Sequence, residues 1–180
     1  MENTFCLKNG EKIIIRYPRI EDAAGLLTML QNSVATTDYL LLTPEEANMT
    51  LEQEIAWLTD VLSDNNKMML TAVHDNKVIG NVDLTIGPII KRRHWATLGI
   101  TIVKEWRGLG LGNILMNTLI DLAKENKEIE IIGLDVFADN HHAISLYEKL
   151  GFKKEARIKN SFKLSDNTYI DNIIMTLKIK

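Results

Sequence analysis

Cysteine is almost absent from this sequence: Cys6 is the only one, so no disulfide can form within the chain. Proline occurs three times, and no proline-rich, repeated or low-complexity tract is present, which excludes fibrous and linker-rich classes. No apolar run is long enough for a membrane-spanning helix. The first residues also lack an apolar stretch of signal-peptide length, and we therefore expect a reducing, cytoplasmic location.

A large excess of one charge is also missing. The 21 basic and 24 acidic residues give a net charge of −3, which excludes a general attraction to nucleic acid or to anionic membranes. His141 and His142 are adjacent and would point apart on a helix, and no other histidine or cysteine lies at ligand spacing. We therefore expect no metal site.

What is present is typical of a globular protein. The 180 residues are 46% hydrophobic and 25% charged, enough for one domain with a full core and short for two. We predict that residues 1–180 form a single domain.

The hydrophobic period changes along the chain and predicts a mixed α/β fold. Helices are predicted over 19–34, 43–65 (with Thr50 as N-cap and Gln53 completing a capping box), 113–126 and 140–151, the last ended by Gly151. Strands are predicted over 12–18, 68–74, 78–87, 95–103, 130–138, 152–164 and 169–179. The order is β-α-α-β-β-β-α-β-α-β-β. Strands 95–103 and 130–138, joined by one helix, would be parallel in a right-handed βαβ unit within a sheet otherwise built of hairpins.

The stretch RGLGLG, residues 107–112, opens the third predicted helix. A helix start has free N–H donors and a partial positive charge, and glycines let an anion such as diphosphate come close to the backbone. The dinucleotide fingerprint and the P-loop both fail, because the glycines recur every second residue and Gly112 is followed by Asn113 and Ile114. From the glycines alone, a diphosphate site and a tight turn without a ligand both remain open.

Two motifs together resemble the GNAT superfamily of N-acetyltransferases. RGLGLG is similar to the R/Q-x-x-G-x-G/A acyl-CoA pyrophosphate loop, and NHHAISLYEKLGF, residues 140–152, is similar to the N-x-x-A-x-x-L-Y-x-K-x-G-F segment. The segments LDVFADN and DNIIMTLKI resemble the branch that acetylates protein N-terminal amines, which includes the ribosomal-protein alanine acetyltransferases. The resemblance implies a GNAT-like α/β fold and an acetyl-CoA-dependent transfer to a primary amine by direct attack.

The resemblance also implies a binding site for the acetyl-CoA co-substrate. Pantetheine would add to the backbone of Ile100, Thr101 and Ile102, and the Ile102 N–H would donate to the thioester carbonyl as an oxyanion hole. Arg107 would pair with phosphate. Asn140 would cap its helix and also bond pantetheine. The diphosphate would rest on the N–H groups of Gly108, Leu109, Gly110, Leu111, Gly112 and Asn113.

Two further residues are candidates for proton transfer. Asp135 interrupts the apolar run IIGLDVFA, where burial would raise a carboxyl pKa, and it falls where the similar branch carries an acidic catalytic residue. Asp83, His94 and water alone remain alternatives as the base. Tyr147 matches the family's tyrosine, which implies that it protonates the departing CoA sulfur.

The acceptor is not identified by the sequence: a protein N-terminus, a polyamine, an amino acid and a drug all remain open. The sequence is compatible with a homodimer. The alternative function is a catalytically silent acyl-CoA-binding module that regulates another protein. Retention of Tyr147 and of an acid at position 135 favours the enzyme.

Overall fold

The computed structural model describes residues 1–180 and contains eight strands and four α-helices. The strands are β1 (Glu2–Cys6), β2 (Lys12–Arg16), β3 (Lys67–His74), β4 (Lys77–Ile86), β5 (Trp95–Ile102), β6 (Ile131–Phe137), β7 (Lys153–Lys163) and β8 (Tyr169–Lys178). The helices are α1 (Ala23–Val34), α2 (Leu51–Ser63), α3 (Leu111–Glu125) and α4 (His141–Lys149). None of the four helices combines the length and the apolarity that crossing a bilayer requires.

The strand order is β1-β2-β3-β4-β5-β6-β8-β7, so the predicted mixed α/β class is confirmed. β5 and β6 pair in parallel, as the predicted βαβ unit requires, and the hairpins β1–β2, β3–β4 and β7–β8 are antiparallel. The chain divides into two compact units. The first contains Met1–Thr85 and Gly99–Leu119, and the second contains Ile86–Leu98 and Ile120–Lys180.

In the first unit, helices α1 and α2 pack on the strands through a buried apolar cluster. Its members are Ala23, Leu26, Met29, Leu58, Val61 and Met69. A Cβ added to Gly25 of α1 would lie 2.8 Å from Cγ2 of Val78, so a glycine allows α1 to approach β4 closely. The predicted cap of α2 is confirmed: the Thr50 side chain accepts from the Gln53 N–H, and the Gln53 side chain accepts from the Thr50 N–H. Such a cap stabilises a helix by about 1 kcal/mol.

In the second unit, β8 pairs with both β6 and β7, and α4 ends as predicted. Gly151 adopts φ +92°, its N–H donates to the Glu148 carbonyl, and the Phe152 N–H donates to the Tyr147 carbonyl. These two bonds form a Schellman motif, which fixes the C-terminal turn that carries Tyr147.

The differences from the sequence-based expectations are one unpredicted strand and the starts of three helices. Helix α1 begins at Ala23 and α2 at Leu51, later than the predicted residues 19 and 43. Strand β1 was not predicted; its residues are mostly exposed, and the register with β2, from Glu2 opposite Arg16 to Cys6 opposite Lys12, holds it in place. Helix α3 begins at Leu111 rather than at residue 113, so Gly112 lies within its first turn.

Candidate functional site

The glycine-rich stretch forms the loop between β5 and α3 in the first unit. The backbone N–H groups from Gly108 to Asn113 donate to no acceptor in the protein. The next N–H along the chain, that of Ile114, donates to the Gly110 carbonyl at 3.2 Å. A row of free donors at the positive end of a 15-residue helix is suited to an anion with several oxygens.

Two of the glycines in this loop are required by the backbone. Gly108 and Gly110 have φ values of +76° and +95°, in the region that L-residues rarely adopt. The loop is tied to the end of β5 because Nε of Arg107 donates to the Ile102 carbonyl at 2.8 Å. The predicted phosphate contact of Arg107 is therefore left to its remaining guanidinium N–H groups, and its Nε positions the loop.

The second half of strand β5 has an unpaired backbone edge on the side opposite strand β4. Its pairing with β6 extends from Trp95 to Thr97 and no further. The Val103 N–H donates to the Ile79 carbonyl, and the Thr101 carbonyl lies 3.1 Å from a Cβ placed on Gly80, so residues 101 and 103 face β4. Because successive residues alternate in a strand, the backbone groups of Ile100 and Ile102 face the other way.

This alternation refines the prediction for pantetheine binding. Of the three expected residues, Ile100 and Ile102 have backbone groups on the open side of β5, whereas those of Thr101 are turned toward β4. The Ile102 carbonyl is already used by Arg107, which leaves the Ile102 N–H as the donor on that residue.

Asp83 of β4 lies directly beside the start of this open segment. A Cβ added to Gly99 would be 2.9 Å from Oδ1 and 3.3 Å from Oδ2 of Asp83. The absence of a side chain at position 99 therefore creates the space that the carboxyl group occupies. The segment predicted to bind pantetheine begins at the next residue, Ile100.

The Asp83 carboxyl group is partly buried and has no hydrogen bond or ion pair with the protein. Burial raises its pKa from 3.8 to about 6. With that pKa, roughly nine-tenths of the groups are ionised at pH 7 while the carboxylate remains basic enough to accept a proton. Asp83 therefore has the properties that were expected of Asp135.

For Asp135, the expectation of burial was wrong. It lies on β6 among buried residues, but its own side chain is exposed, and its Oδ1 accepts from Nδ2 of the buried Asn172. The other rival, His94, is exposed and immediately precedes β5. The base assignment to Asp135 stays a prediction, without the burial that supported it.

Tyr147 lies on α4 in the second unit and is 7% exposed. Burial raises the pKa of its hydroxyl to about 12, so the group keeps its proton throughout the physiological range. The ring packs against Phe152 with centroids 5.8 Å apart, and the hydroxyl bonds no protein acceptor. The ring is thus held in place with a protonated, unpaired hydroxyl, whose raised pKa makes it a weaker acid than a free phenol.

Asn140 caps the same helix, as predicted. Its Oδ1 accepts from the Ala143 N–H at 3.2 Å, which leaves its side-chain NH₂ group available as a donor. The structure contains no group of three or more His, Cys, Asp or Glu side chains that could hold a metal ion.

The chain resembles known proteins both in sequence and in structure. Residues 33–152 match the acetyltransferase (GNAT) family. The chain is 31% identical over 106 residues to the L-amino acid N-acetyltransferase AaaT of Escherichia coli, covering 59% of this chain and 65% of that protein. It is 39% identical over 85 residues to the [ribosomal protein bS18]-alanine N-acetyltransferase of Salmonella typhimurium, covering 47% of this chain and 56% of that protein. The chain therefore spans less than two-thirds of the length of each of these relatives.

Solved structures match over more of the chain. A GNAT-family acetyltransferase from Streptococcus pneumoniae superimposes with a TM-score of 0.88 and 28% identity, over 93% of this chain and 99% of that one. The protein yncA of Salmonella typhimurium, solved with acetyl-CoA, superimposes with a TM-score of 0.82 at 18% identity, over 93% of this chain and 94% of that one. The second likeness concerns the fold alone.

Proposed function

Because the chain belongs to the acetyltransferase (GNAT) family, we propose that it transfers an acetyl group from acetyl-CoA to a primary amine by direct attack. The observation that carries this proposal is the arrangement in the first unit. There the carboxyl group of Asp83, with a pKa near 6, lies beside a strand whose open backbone leads into a loop of free N–H donors.

The residues present fit the co-substrate. The N–H groups from Gly108 to Asn113 would hold the diphosphate, with Arg107 beside them. The open backbone of Ile100 and Ile102 would bind the amide groups of pantetheine in the manner of an added strand. Acetyl-CoA supplies an activated acyl group on a thiolate leaving group. The Ile102 N–H would donate to the thioester oxygen as negative charge develops there.

Asp83 is the residue that we assign as general base. An amine that arrives protonated first loses one proton to solvent and so becomes a nucleophile. Its neutral nitrogen then bonds to the acetyl carbonyl carbon and loses a second proton as the amide forms. The Asp83 carboxylate would accept that proton, directly or through a water molecule. Its pKa near 6 keeps it ionised at pH 7, when most amines are still protonated.

We assign Tyr147 and Asn140 the roles that the family resemblance implies. As the carbon–sulfur bond breaks, the Tyr147 hydroxyl would donate its proton to the sulfur, so that CoA leaves as the thiol. A phenol whose pKa is raised to about 12 stays protonated until that step. The side-chain NH₂ of Asn140 would donate to pantetheine while its oxygen caps α4.

For the acceptor, we propose an α-amino group. By their names, one relative acetylates L-amino acids and the other acetylates an alanine of ribosomal protein bS18. An α-amino group has a reference pKa near 8, so it is deprotonated more easily at neutral pH than a lysine side chain. Free amino acids and peptide N-termini are the two classes to compare, and the cytoplasm is the compartment in which we expect the reaction.

The experiment that tests this function is an acceptor screen with acetyl-CoA. Release of CoA thiol is followed with L-amino acids, short peptides, polyamines and aminoglycosides. We expect thiol release with at least one α-amine, matched by an equal amount of N-acetyl product. Tight binding of acetyl-CoA without transfer to any amine would instead support the silent binding module.

A further inference from the structure

The β1–β2 turn lies against the glycine loop although about 100 residues separate them in the sequence. The Lys8 N–H donates to the Leu109 carbonyl at 3.1 Å. The side chain of Lys8 runs past Gly110, with its Cγ and Cε both 3.7 Å from the position that a Cβ on Gly110 would take. A lysine is thus laid along the loop that would hold the diphosphate.

The backbone of this turn is fixed by several contacts. The Leu7 N–H donates to the Glu11 carbonyl, and the Gly10 N–H donates to the Leu7 carbonyl, with Gly10 at φ +88°. Leu7 itself is buried, at 4% exposure. The position of Lys8 therefore does not depend on a mobile turn.

A second contact holds the hairpin near the segment that precedes the loop. Nδ1 of His74 lies 3.0 Å from the Lys12 carbonyl oxygen. The His74 ring also packs on Trp106, with centroids 4.6 Å apart, and Trp106 immediately precedes Arg107. The turn, through Lys8, and strand β2, through Lys12 and His74, are in this way connected to the stretch from Trp106 to Gly110.

The Lys8 side chain is exposed, and its ammonium group forms no ion pair or hydrogen bond with the protein. Nζ is one bond beyond Cε, which already touches the space over Gly110. An unpaired cation beside free N–H donors adds to their attraction for an anion.

We propose that Lys8 binds the diphosphate of the acyl-CoA co-substrate, so that the β1–β2 turn forms one wall of the phosphate site. This inference rests on the proposed function, because it takes acetyl-CoA as the ligand. It assigns a phosphate-binding role to a residue outside the glycine motif.

The test is equilibrium binding of three ligands by Lys8→Gln, Lys8→Arg and Lys12→Gln. The ligands are acetyl-CoA, its 3′-dephospho form and S-acetylpantetheine, which lacks the diphosphate. Lys12 is exposed on the same hairpin and carries the same charge, so Lys12→Gln is the matched control. The melting temperature of each variant without ligand checks that the fold is retained.

We expect Lys8→Gln to weaken the binding of acetyl-CoA and of its 3′-dephospho form by the same factor, roughly three- to tenfold, because one charge-assisted contact is lost. Binding of S-acetylpantetheine should not change, Lys8→Arg should retain most of the affinity, and Lys12→Gln should match the wild type. Added salt should reduce the difference between Lys8→Gln and the wild type, since salt screens exposed charges.

Equal affinities of Lys8→Gln and the wild type for acetyl-CoA would overturn this inference alone. A defect confined to acetyl-CoA and absent with dephospho-CoA would also overturn it, because the ammonium would then contact the 3′-phosphate. Failure of the wild type to bind acetyl-CoA at all would overturn the proposed function, and this inference with it.

Discussion

Replacing Asp83 by asparagine should make the protein more stable and less active, and both effects should depend on pH. The raised pKa means that the folded state binds a proton at Asp83 more tightly than the unfolded chain does. The stability linked to this group is therefore fully present below about pH 4 and is lost as pH rises through about 6. Above that pH the folded protein carries an unpaired, partly buried carboxylate.

The size of the stability effect follows from the two pKa values. A difference between 3.8 and about 6 corresponds to about 3 kcal/mol at pH 8. Asparagine cannot ionise, so Asp83→Asn should gain up to about 3 kcal/mol at pH 8, or about 6–12 °C in melting temperature for a chain of this size. The gain should disappear near pH 4, where the wild-type carboxyl group is protonated.

The same substitution should reduce catalysis. We expect kcat/KM at pH 7 to fall by about 10²-fold, equivalent to about 2.7 kcal/mol of transition-state stabilisation. In the wild type, kcat/KM should rise with pH through about 6 as the carboxylate forms, and the variant should lack that limb. The defect should shrink at high pH, where amines deprotonate without help.

Thermal melts at pH 4, 6 and 8 and a pH–rate profile measure both effects, with Asp135→Asn as the matched control. The control should keep the limb near pH 6, because that limb is assigned to Asp83. A stability difference between Asp83→Asn and the wild type that does not vary with pH would refute the burial argument. An unchanged rate profile in Asp83→Asn, with the limb lost in Asp135→Asn, would return the base role to Asp135.

Three other substitutions test the remaining parts of the site. Tyr147→Phe removes one oxygen that has no partner and keeps the ring contact with Phe152. The value of kcat should therefore fall, while acetyl-CoA binding and the melting temperature change little. A normal kcat with weakened acetyl-CoA binding would make Tyr147 a packing residue. Gly99→Ala places a methyl group 2.9 Å from Asp83 Oδ1 and should displace the carboxyl group, lowering kcat more than acetyl-CoA affinity; full activity would show that the position of this carboxyl group is unimportant. Acetyl-CoA at 100 times its Kd should raise the wild-type melting temperature by about 5–10 °C. Gly110→Asp should abolish that rise in melting temperature, because it adds a carboxylate beside Lys8 and the free N–H groups. The control Gly110→Ala adds only the backbone strain at φ +95°. Equal acetyl-CoA binding by Gly110→Asp and the wild type would refute the assignment of the loop to the diphosphate.

Features that depend on neighbours in the chain could be predicted from the sequence. The capping box of Thr50 and Gln53 and the helix end at Gly151 involve residues within one or two turns, and both are present. Strand β1 could not be predicted in the same way, because the sequence ENTFC lacks a clear hydrophobic alternation. Hydrogen bonding to β2, rather than a hydrophobic pattern of its own, holds β1 as a strand.

The properties of the site depend on contacts between distant segments, which the sequence reasoning could not resolve. The apolar run around Asp135 suggested burial, whereas its side chain is exposed although both neighbours along β6 are buried. Gly99, which makes room for the Asp83 carboxyl group, lies on a different strand, so the sequence carries no sign that the two residues are adjacent. The contact of Lys8 with the loop has no local signal in the sequence at all.

Acetyl transfer by direct attack can be tested in a single reaction. Purified protein is mixed with acetyl-CoA, with and without an α-amine acceptor found in the screen, and thiol, N-acetyl product and the intact mass of the protein are measured together. Equal amounts of thiol and N-acetyl product, formed only with the acceptor and with no acetylated protein, are the predicted result. Acetyl groups accumulating on the protein before acceptor is added, or bound acetyl-CoA that never yields product, would contradict direct transfer to the amine.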